Sequence, residues 1–416
     1  MSTSSAPTTE PKISITPLLK RLWPDLPVPN APPVTAEEIA LAISHIFTNS
    51  LSPVQTGALL TALHFKEYDR KADVLFRCAG AMREAAAQVD KKALHQVLRN
   101  KGHKEGSYRG GLCDIVGTGG DSHSTYNVST TSSIIASSLL RLSKHGNRAS
   151  TSKSGSADLL ESASPRAPVI SAVTPTSLPE IYEATNYAFL FAPVFHPAMK
   201  YVAPVRKELG WRTMFNLLGP LTNPVDSLIE ARVIGVARRD VGPVFAEVLR
   251  LAGAKKALVI CGNEDLDELS CAGPSTCWML AEKPNPSYRV GIEEFTLNPQ
   301  DFGFPPHPLS EVSPGKEPSE NAAILMKILR NEMPSDDPIL HFVLINTAAL
   351  FVVSGVCEAD QSSMGKGDDG NVITERGPGG GRWKEGIRRA RWAIESGAAL
   401  KQWEAFVEVT NRVNGA

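Results

Sequence analysis

An excess of one charge is missing from this sequence of 416 residues, because 43 Lys and Arg side chains face 44 Asp and Glu side chains. Nucleic-acid binding depends on clustered basic residues that release counterions from phosphates, so this balance argues against such a partner. Apolar residues make up 42% of the chain and charged residues 21%, as in ordinary globular proteins. Since one hydrophobic core rarely serves so long a chain, we expect two domains.

Cysteine pairs with the CxxC spacing are missing as well. The six cysteines stand mostly in apolar stretches such as LVICG and LFRCAG, which favours reduced, buried thiols. The opening MSTSSAPTTEPK has neither the apolar core of a signal peptide nor the Arg-rich pattern of a transit peptide. A cytoplasmic protein is therefore expected.

Long apolar runs are missing with one exception. The segment ILHFVLINTAALFVVSGV, residues 339–356, is nearly long enough to cross a membrane. It contains His341 and Asn346, and it has no companion elsewhere in the chain. A helix buried on all sides is the better interpretation, and we expect no membrane partner.

Helix signals dominate the early part of the chain. Thr35 and Glu38 form a capping box in front of an amphipathic segment that ends at Phe47. The Ser-Pro pair at Pro53 starts a second predicted helix, and a third runs from about Asp69. These features predict a helical domain.

From Cys113 onward, short β-rich runs alternate with helical runs. The β-rich runs are CDIVG, EARVIGVA and KALVICG, and the helical runs are STTSSIIASSLLRL and PVFAEVLRLAG. Strands separated by helices imply a largely parallel sheet with crossover connections. Three stretches are predicted to be loops: residues 100–111, 284–320 and 359–382.

The expected fold class is thus α/β, with a small helical domain beside a larger α/β domain. The expected division is a disordered N-terminus over residues 1–30, a helical domain over 31–105 with 195–215 packing on it, and an α/β domain over 106–194 and 216–416 with a flexible insertion near 359–382.

A glycine loop follows the first predicted strand, in VGTGGDSHSTYNVST at residues 116–130. Glycine N–H groups and those of the following helix N-terminus could surround a phosphate that meets no Cβ atoms. Neither GxGxxG nor GxxxxGK[ST] occurs in this loop, which weakens the generic nucleotide interpretations. A plain turn between strand and helix is the alternative.

Basic and acidic segments strengthen the anion-site interpretation. Lys144, Arg148 and Lys153 stand among small residues that cannot fill a core, which suits a ligand with several phosphate oxygens, although a solvated basic loop is possible. Asp267 and Glu268 follow the predicted strand KALVICG, where open α/β sheets place ligands. Mg²⁺ binds such carboxylates together with substrate phosphates.

Several long motifs resemble the anthranilate phosphoribosyltransferase family. They are VGTGGD (116–121), NVST (127–130), KHGNR (144–148), KSGSAD (153–158), the stretch FLFAPVFHPAMKYVAPVRKELGWRTMFNLLGPLTNP (189–224) and LDELS (266–270). The resemblance covers roughly residues 35–408 in order. It departs from the compact family pattern at residues 100–111, 162–186 and 359–382, none of which carries a proposed ligand contact.

The resemblance implies a fold like that of nucleoside phosphorylases and class IV phosphoribosyltransferases, with a cleft between the two domains. It implies a Mg²⁺-dependent enzyme of tryptophan biosynthesis, commonly a homodimer through the helical domain. The reaction joins the phosphoribosyl group of phosphoribosyl pyrophosphate (PRPP) to anthranilate. An aromatic amine is neutral at pH 7 and already nucleophilic, so no residue is assigned as a general acid or base.

The resemblance also implies the ligand contacts. PRPP would be bound by Gly117, Thr118, Gly119, Gly120, Asp121, Thr125, Asn127, Ser129, Thr130, Lys144 and Ser156. Mg²⁺ would be organised by Ser129, Asp267 and Glu268. Anthranilate would contact Gly117, His145, Asn147, His196, Arg206, Gly219 and Pro220.

Two of the anthranilate contacts carry specific expectations. Arg206 is assigned to the carboxylate of anthranilate, because a guanidinium fork matches the geometry of that group. His196 is a weaker candidate, since it could instead cap or orient the helix that follows it.

Two other functions stay open at this point. One is a pyrimidine nucleoside phosphorylase of similar fold, and the other is a non-enzymatic relative that binds nucleic acid. The net charge of −1 and the presence of Asp267, Glu268 and Arg206 favour the transferase.

Overall fold

The computed structural model describes residues 13–22, 32–101, 104–149, 153–285, 288–313 and 317–415. The chain divides into two compact units. The first comprises the described residues up to Ala86 together with His196–Thr222, and the second comprises Ala87–Phe195 together with the described residues from Asn223 onward.

The secondary structure alternates between helices and strands after the first hundred residues. The helices are α1 (Thr16–Leu22), α2 (Ala36–Phe47), α3 (Pro53–Phe65), α4 (Ala72–Glu84), α5 (Lys91–Lys101), α6 (Val128–Ala136), α7 (Ser156–Glu161), α8 (Leu178–Ala184), α9 (Ala192–Phe195), α10 (Ala203–Leu209), α11 (Phe215–Leu218), α12 (Gly242–Leu251), α13 (Pro318–Leu329), α14 (Pro338–Ser354), α15 (Trp383–Glu395) and α16 (Ala398–Gly415). The strands are β1 (Leu112–Gly117), β2 (Arg141–Gly146), β3 (Tyr187–Phe191), β4 (Ile229–Gly235), β5 (Lys256–Gly262), β6 (Ser275–Asn285) and β7 (Tyr288–Leu297).

The helical unit begins as its sequence predicts. The Glu38 N–H donates to the Thr35 hydroxyl at 3.2 Å and the Thr35 N–H donates to the Glu38 carboxylate at 3.0 Å, so the capping box is present. Helix α3 starts at Pro53, where the Ser52 side chain accepts from the Gln55 N–H. The third predicted helix is α4, which starts three residues later than expected because residues 68–70 form a 3₁₀ turn.

The expectation of a disordered N-terminus over residues 1–30 is wrong for residues 13–22; residues 1–12 and 23–30 lie outside the described residues. Helix α1 occupies part of this stretch, and Ile15 and Leu22 are buried. The Ile15 N–H donates to the Gln55 side chain at 2.9 Å, and Arg21 pairs with Glu38. These apolar and charged contacts with distant residues order residues 13–22, although the local sequence does not predict a helix there.

The second unit is built on a seven-stranded sheet within the described residues, in the order β3-β2-β1-β4-β5-β6-β7. Strands β3, β2, β1, β4 and β5 are parallel, whereas β6 and β7 are antiparallel. The predicted mostly parallel sheet, and the α/β class with a helical domain, are therefore confirmed.

Two sequence assignments in this unit are wrong. The run STTSSIIASSLLRL is not one helix, because α6 ends at Ala136 and Arg141 already begins β2. The predicted loop over 284–320 contains β7 and the start of α13. Strand β7 forms a hairpin with β6, and the Trp278 indole N–H donates to the Glu294 carboxylate at 2.8 Å across it. The prolines in residues 284–320 favour a loop over a strand in the sequence analysis.

Helix α5 also differs from the expected division, which placed residues 31–105 in the helical domain. Its apolar residues Leu94, Val97 and Leu98 belong to the core of the second unit, so the boundary between units falls after Ala86. The first unit instead gains His196–Thr222, a slightly longer stretch than the expected 195–215.

The apolar segment after residue 338 forms the central helix of the second unit. Every residue of α14 from Ile339 to Ser354 is buried, as predicted. Asn346 is not a defect in this helix, because its side chain accepts from the Leu269 N–H at 3.0 Å and donates to the Leu269 carbonyl at 3.1 Å. In the described part of the chain, no helix is long and apolar enough to cross a membrane.

The insertion near 359–382 has an irregular backbone with a short 3₁₀ turn at Pro378–Gly380. The Asp368 carboxylate pairs with Arg388 at 2.8 Å, and the Ile373 N–H donates to Glu385 at 2.9 Å. Both partners lie on α15, and other side chains of that helix also contact the insertion: Lys384 pairs with Glu375 at 2.8 Å, and the Trp392 indole N–H donates to the Lys366 carbonyl at 3.1 Å. The predicted flexibility stays a prediction.

Close packing of α14 against α15 generates a stability prediction. A Cβ on Gly386 would lie 2.8 Å from the Ala348 Cβ and 2.9 Å from its carbonyl oxygen, which forces the helices apart. We expect Gly386→Ala to lower the free energy of unfolding by about 1–3 kcal/mol. Gly80→Ala on α4 is the control, because its Cβ meets nothing within 4 Å and alanine favours a helix. Thermal unfolding of both variants tests this; equal stability would contradict it.

Candidate active site

A cleft of about 400 Å³ opens where the parallel strands of the second unit end. Strand β1 ends at Gly117, and the loop over residues 118–127 connects it to α6. Strand β5 ends at Gly262, and the following loop carries Asp267 and Glu268. The lining includes every predicted site residue of this unit: Gly117, Thr118, Gly119, Gly120, Asp121, Thr125, Asn127, Ser129, Thr130, Lys144, His145, Asn147, Ser156, Asp267 and Glu268.

Asp267 fits into a notch between two strand ends. Gly117 of β1 and Gly235 of β4 are register partners. A Cβ on Gly117 would collide with the Asp267 carboxylate, and a Cβ on Gly235 would collide with its carbonyl oxygen. The Gly119 N–H then donates to the Asp267 carboxylate at 2.6 Å. The glycine loop and the acidic loop are therefore in direct contact.

Three carboxylates converge in this cleft. Asp121, Asp267 and Glu268 each offer an oxygen, and these oxygens all lie within 4.8 Å of one another. Burial, followed by the Asp267 charge, raises the pKa of Asp121 to about 7. Burial, followed by the charges of Asp267 and Asp121, raises the pKa of Glu268 well above its ordinary value. A divalent cation would relieve this repulsion, so the donor set fits Mg²⁺.

Asp121 is a metal-ligand candidate that sequence reasoning missed, since it was assigned only to PRPP. The sequence does show that the GTGGD motif ends in a carboxylate. Whether that carboxylate meets Asp267 and Glu268 depends on the fold. Ser129, which was assigned to the metal, lies beside Glu268: burial raises the pKa of Glu268, and the hydrogen bond from the Ser129 backbone, in the first turn of α6, opposes part of that rise.

Lys144 is the buried cation of the cleft. Burial lowers the pKa of its ammonium group, and the charges of Asp114, Glu268 and Asp267 oppose that effect. The other two residues of the basic segment have carboxylate partners. Arg148 pairs with Glu161 at 2.6 Å and with Asp158 at 3.2 Å. Lys153 is exposed, with Glu317 at 3.7 Å, so Lys144 and Arg148 are the two of these three residues that line the cleft.

Polar side chains fix the opposite wall of the cleft. The Thr130 hydroxyl donates to the Ser156 hydroxyl at 2.8 Å. Asn127 donates to the Ser154 carbonyl at 2.8 Å and accepts from its hydroxyl at 3.0 Å. These contacts join the start of α6 to the segment around the start of α7, and they orient the Ser156 hydroxyl, which accepts from Thr130 and keeps its own hydrogen for an anion.

The remaining predicted residues belong to the first unit. His196 is buried, its Nε2–H donates to the Thr222 carbonyl at 3.0 Å, and burial lowers its pKa to about 4. The Thr222 hydroxyl donates to the Gly219 carbonyl at 3.1 Å, and Pro220 is buried beside it in the chain. The neutral, hydrogen-bonded ring of His196 fits the alternative role of orienting its own segment.

Arg206 lies on α10 and is half-buried. Its Nη2 donates to the Asn216 side chain at 3.2 Å, and its guanidinium lies 5.9 Å from the centre of the Phe215 ring. Within the described ranges, no carboxylate forms an ion pair with Arg206. Its charge is thus available to an anionic ligand.

The family models match both units. The description "Glycosyl transferase family, a/b domain" matches residues 109–400, and "Glycosyl transferase family, helical bundle domain" matches residues 16–86. The chain belongs to this glycosyl transferase family.

Curated relatives narrow the family further. An anthranilate phosphoribosyltransferase from Schizosaccharomyces pombe is 37% identical over 382 residues, covering 92% of this chain and 94% of the relative. One from Aquifex aeolicus is 35% identical over 383 residues, covering 91% and 95%. The resemblance read from the motifs is confirmed.

Solved structures of the same enzyme family align with this chain over most of its length. The anthranilate phosphoribosyltransferase from Saccharomyces cerevisiae in complex with PRPP and Mg aligns with a TM-score of 0.75 and 29% identity, covering 95% of this chain and 97% of that one. The enzyme from Thermus thermophilus aligns with a TM-score of 0.69 and 32% identity, covering 91% and 96%.

The carboxylate cluster generates a prediction about the metal. We expect Asp267→Asn combined with Glu268→Gln to raise the Mg²⁺ concentration for half-maximal activity by more than about tenfold, because two charged ligands are lost. Asp265→Asn is the control, since this exposed carboxylate of the same loop lies outside the cluster. Initial rates over a Mg²⁺ titration measure the effect; an unchanged profile in the double variant would remove both residues from the metal site.

Proposed function

We propose that this chain transfers the phosphoribosyl group of PRPP to the amine of anthranilate, giving N-(5-phosphoribosyl)anthranilate and pyrophosphate in tryptophan biosynthesis. The observation that carries the proposal is the cleft in which three carboxylates meet a glycine loop and a buried lysine. The named relatives and the Mg-dependent pentosyltransferase family support the same activity.

The second unit supplies the PRPP and metal contacts in this proposal. Asp121, Asp267 and Glu268 would hold Mg²⁺, with Ser129 beside them. The glycine loop, the Ser156 hydroxyl and Lys144 bind the phosphate groups, while the Gly119 N–H stays with the Asp267 carboxylate. The metal, when bound, supplies positive charge to the pyrophosphate oxygens.

The reaction breaks the bond between C1 of the ribose and pyrophosphate, and the amine nitrogen forms the new bond to C1. Positive charge develops on the sugar ring and negative charge on the leaving group. Lys144 is buried on β2 and held in place before reaction, so it stabilises that negative charge with little reorganisation. A positioned amine then needs no strong general base.

Anthranilate contacts are proposed in both units. Arg206 binds the carboxylate, because it is a half-buried cation with no acidic partner among the described residues. His145 and Asn147, with Gly117, line the cleft of the second unit. Gly219 and Pro220 complete the assignment, and His196 acts by orienting its segment.

A fluorescence assay tests the function directly. The purified chain is expected to consume anthranilate only when both PRPP and Mg²⁺ are present. A parallel assay follows phosphorolysis of a pyrimidine nucleoside. Phosphorolysis without consumption of anthranilate would overturn the proposal in favour of the phosphorylase. The cluster of three carboxylates favours the transferase, because it fits a metal-bound pyrophosphate.

Arg206 gives a substrate-specific prediction. We expect Arg206→Ala to raise KM for anthranilate by roughly tenfold to a hundredfold, as loss of charge-assisted hydrogen bonds does, with a smaller change in KM for PRPP. Lys207→Ala, an exposed neighbour on α10, is the matched control. Equal increases for both substrates would show that Arg206 has a structural role.

A homodimer through the helical unit is also part of the proposal, as is a cytoplasmic location, which cell fractionation can check. Exposed apolar side chains gather in this unit: Leu41 is 60% exposed, Phe65 75% and Val54 81%. Val54 and Phe65 lie at the two ends of α3, and a dimer that covers them would remove their apolar surface from water. We expect Phe65→Asp with Val54→Asp to yield monomers in light scattering, whereas Leu251→Asp in the second unit leaves the mass unchanged. A wild-type monomer would contradict this.

A further inference from the structure

We infer that His123 is a positioning residue for the metal and pyrophosphate site, an inference that rests on the proposed function. Its Nε2 lies 2.7 Å from the backbone carbonyl oxygen of Glu264. A carbonyl oxygen only accepts, so Nε2 carries the hydrogen and donates it. This hydrogen bond joins the glycine loop to the loop that carries Asp267 and Glu268.

The Glu264 end of this hydrogen bond is firmly braced. The Glu264 carboxylate accepts a short hydrogen bond from the Ser270 hydroxyl. The Asp265 N–H donates to the Gly262 carbonyl at 3.0 Å, and the Gly262 N–H donates to the Leu266 carbonyl at 2.8 Å. The carbonyl that His123 binds therefore lies in a turn whose shape is fixed by its own contacts.

The His123 end is less constrained by local structure. The loop over residues 118–127 contains no helix or strand, and Gly119 and Gly120 are exposed with φ of +67° and +76°. Gly119, two residues before Asp121, contacts Asp267. His123, two residues after Asp121, contacts Glu264. The loop is thus attached to the acidic loop on both sides of Asp121.

Attachment on both sides matters because Asp121 lies close to two other acids, whose charges repel its own once the groups are ionised. Its carboxylate lies within 4.8 Å of those of Asp267 and Glu268. When these acids lose their protons in order to bind a cation, the repulsion between their carboxylates pushes the glycine loop away from the acidic loop. The His123–Glu264 hydrogen bond opposes that movement, so the ligand atoms are already close together when Mg²⁺ and PRPP arrive.

This role makes a kinetic prediction that separates the two substrates. We expect His123→Phe, which keeps a ring but loses the donor, to raise KM for PRPP and the Mg²⁺ requirement about three- to tenfold, the value of one hydrogen bond. KM for anthranilate should stay within about twofold. His123→Gln restores a side-chain N–H donor and should recover most of the loss. His95 on α5 is an exposed histidine of the same unit, and His95→Phe is the control.

A second readout needs no activity. Hydrogen exchange of the ligand-free protein should be faster at residues 117–125 in His123→Phe than in the wild type, and unchanged over β5. His123→Gln should lie near the wild type. This measurement also separates the two proposals: if the wild type fails to consume anthranilate, the proposed function falls while the exchange result still tests the hydrogen bond.

Three outcomes would overturn the inference. They are equal KM increases for both substrates in His123→Phe, a His123→Gln variant as impaired as His123→Phe, and exchange at residues 117–125 that does not respond to either substitution.

Discussion

The site depends on the close approach of Asp267 to the ends of two neighbouring strands. Gly117 and Gly235 are register partners on β1 and β4, and neither position has room for a Cβ beside Asp267. The paired glycines let the acidic loop descend onto the sheet edge, where the Gly119 N–H meets the Asp267 carboxylate. Removing that space would separate the loop that binds phosphate from the loop that binds metal.

The same arrangement crowds three acidic side chains into one cleft, where a cation would balance their negative charge. Three acids share one partly buried cleft, and burial and mutual repulsion raise the pKa of Asp121 and Glu268. Lys144 offsets part of this charge from the neighbouring strand, and Asn346 of the buried helix α14 clamps the backbone of Leu269 just after the acids. The hydrophobic core thereby fixes a site that a cation would stabilise.

Sequence reasoning recovered the features with strong local signals. The capping box at Thr35, the Pro53 helix start, the three strands β1, β4 and β5, and the fully buried helix α14 follow from patterns within a few residues. It failed where long-range contacts decide. Strand β7 is ordered by pairing with β6, and α1 is ordered by contacts with α3 and Glu38, neither of which has a local signature.

The ligand contacts show the same contrast between features with local signals and features that depend on long-range contacts. The motifs placed the glycine loop and the Asp267–Glu268 pair, but the inclusion of Asp121 in the carboxylate cluster and the contact from His123 to Glu264 depend on how distant loops meet. Arg148, predicted to contact phosphate, does line the cleft, but only the fold shows that it also pairs with Asp158 and Glu161.

A crystal structure with PRPP and Mn²⁺, located by anomalous scattering, tests the central claim most directly. The account predicts a metal peak at bonding distance from Asp267 and Glu268, with the pyrophosphate lying against the glycine loop. Metal and pyrophosphate bound away from these two loops would contradict it.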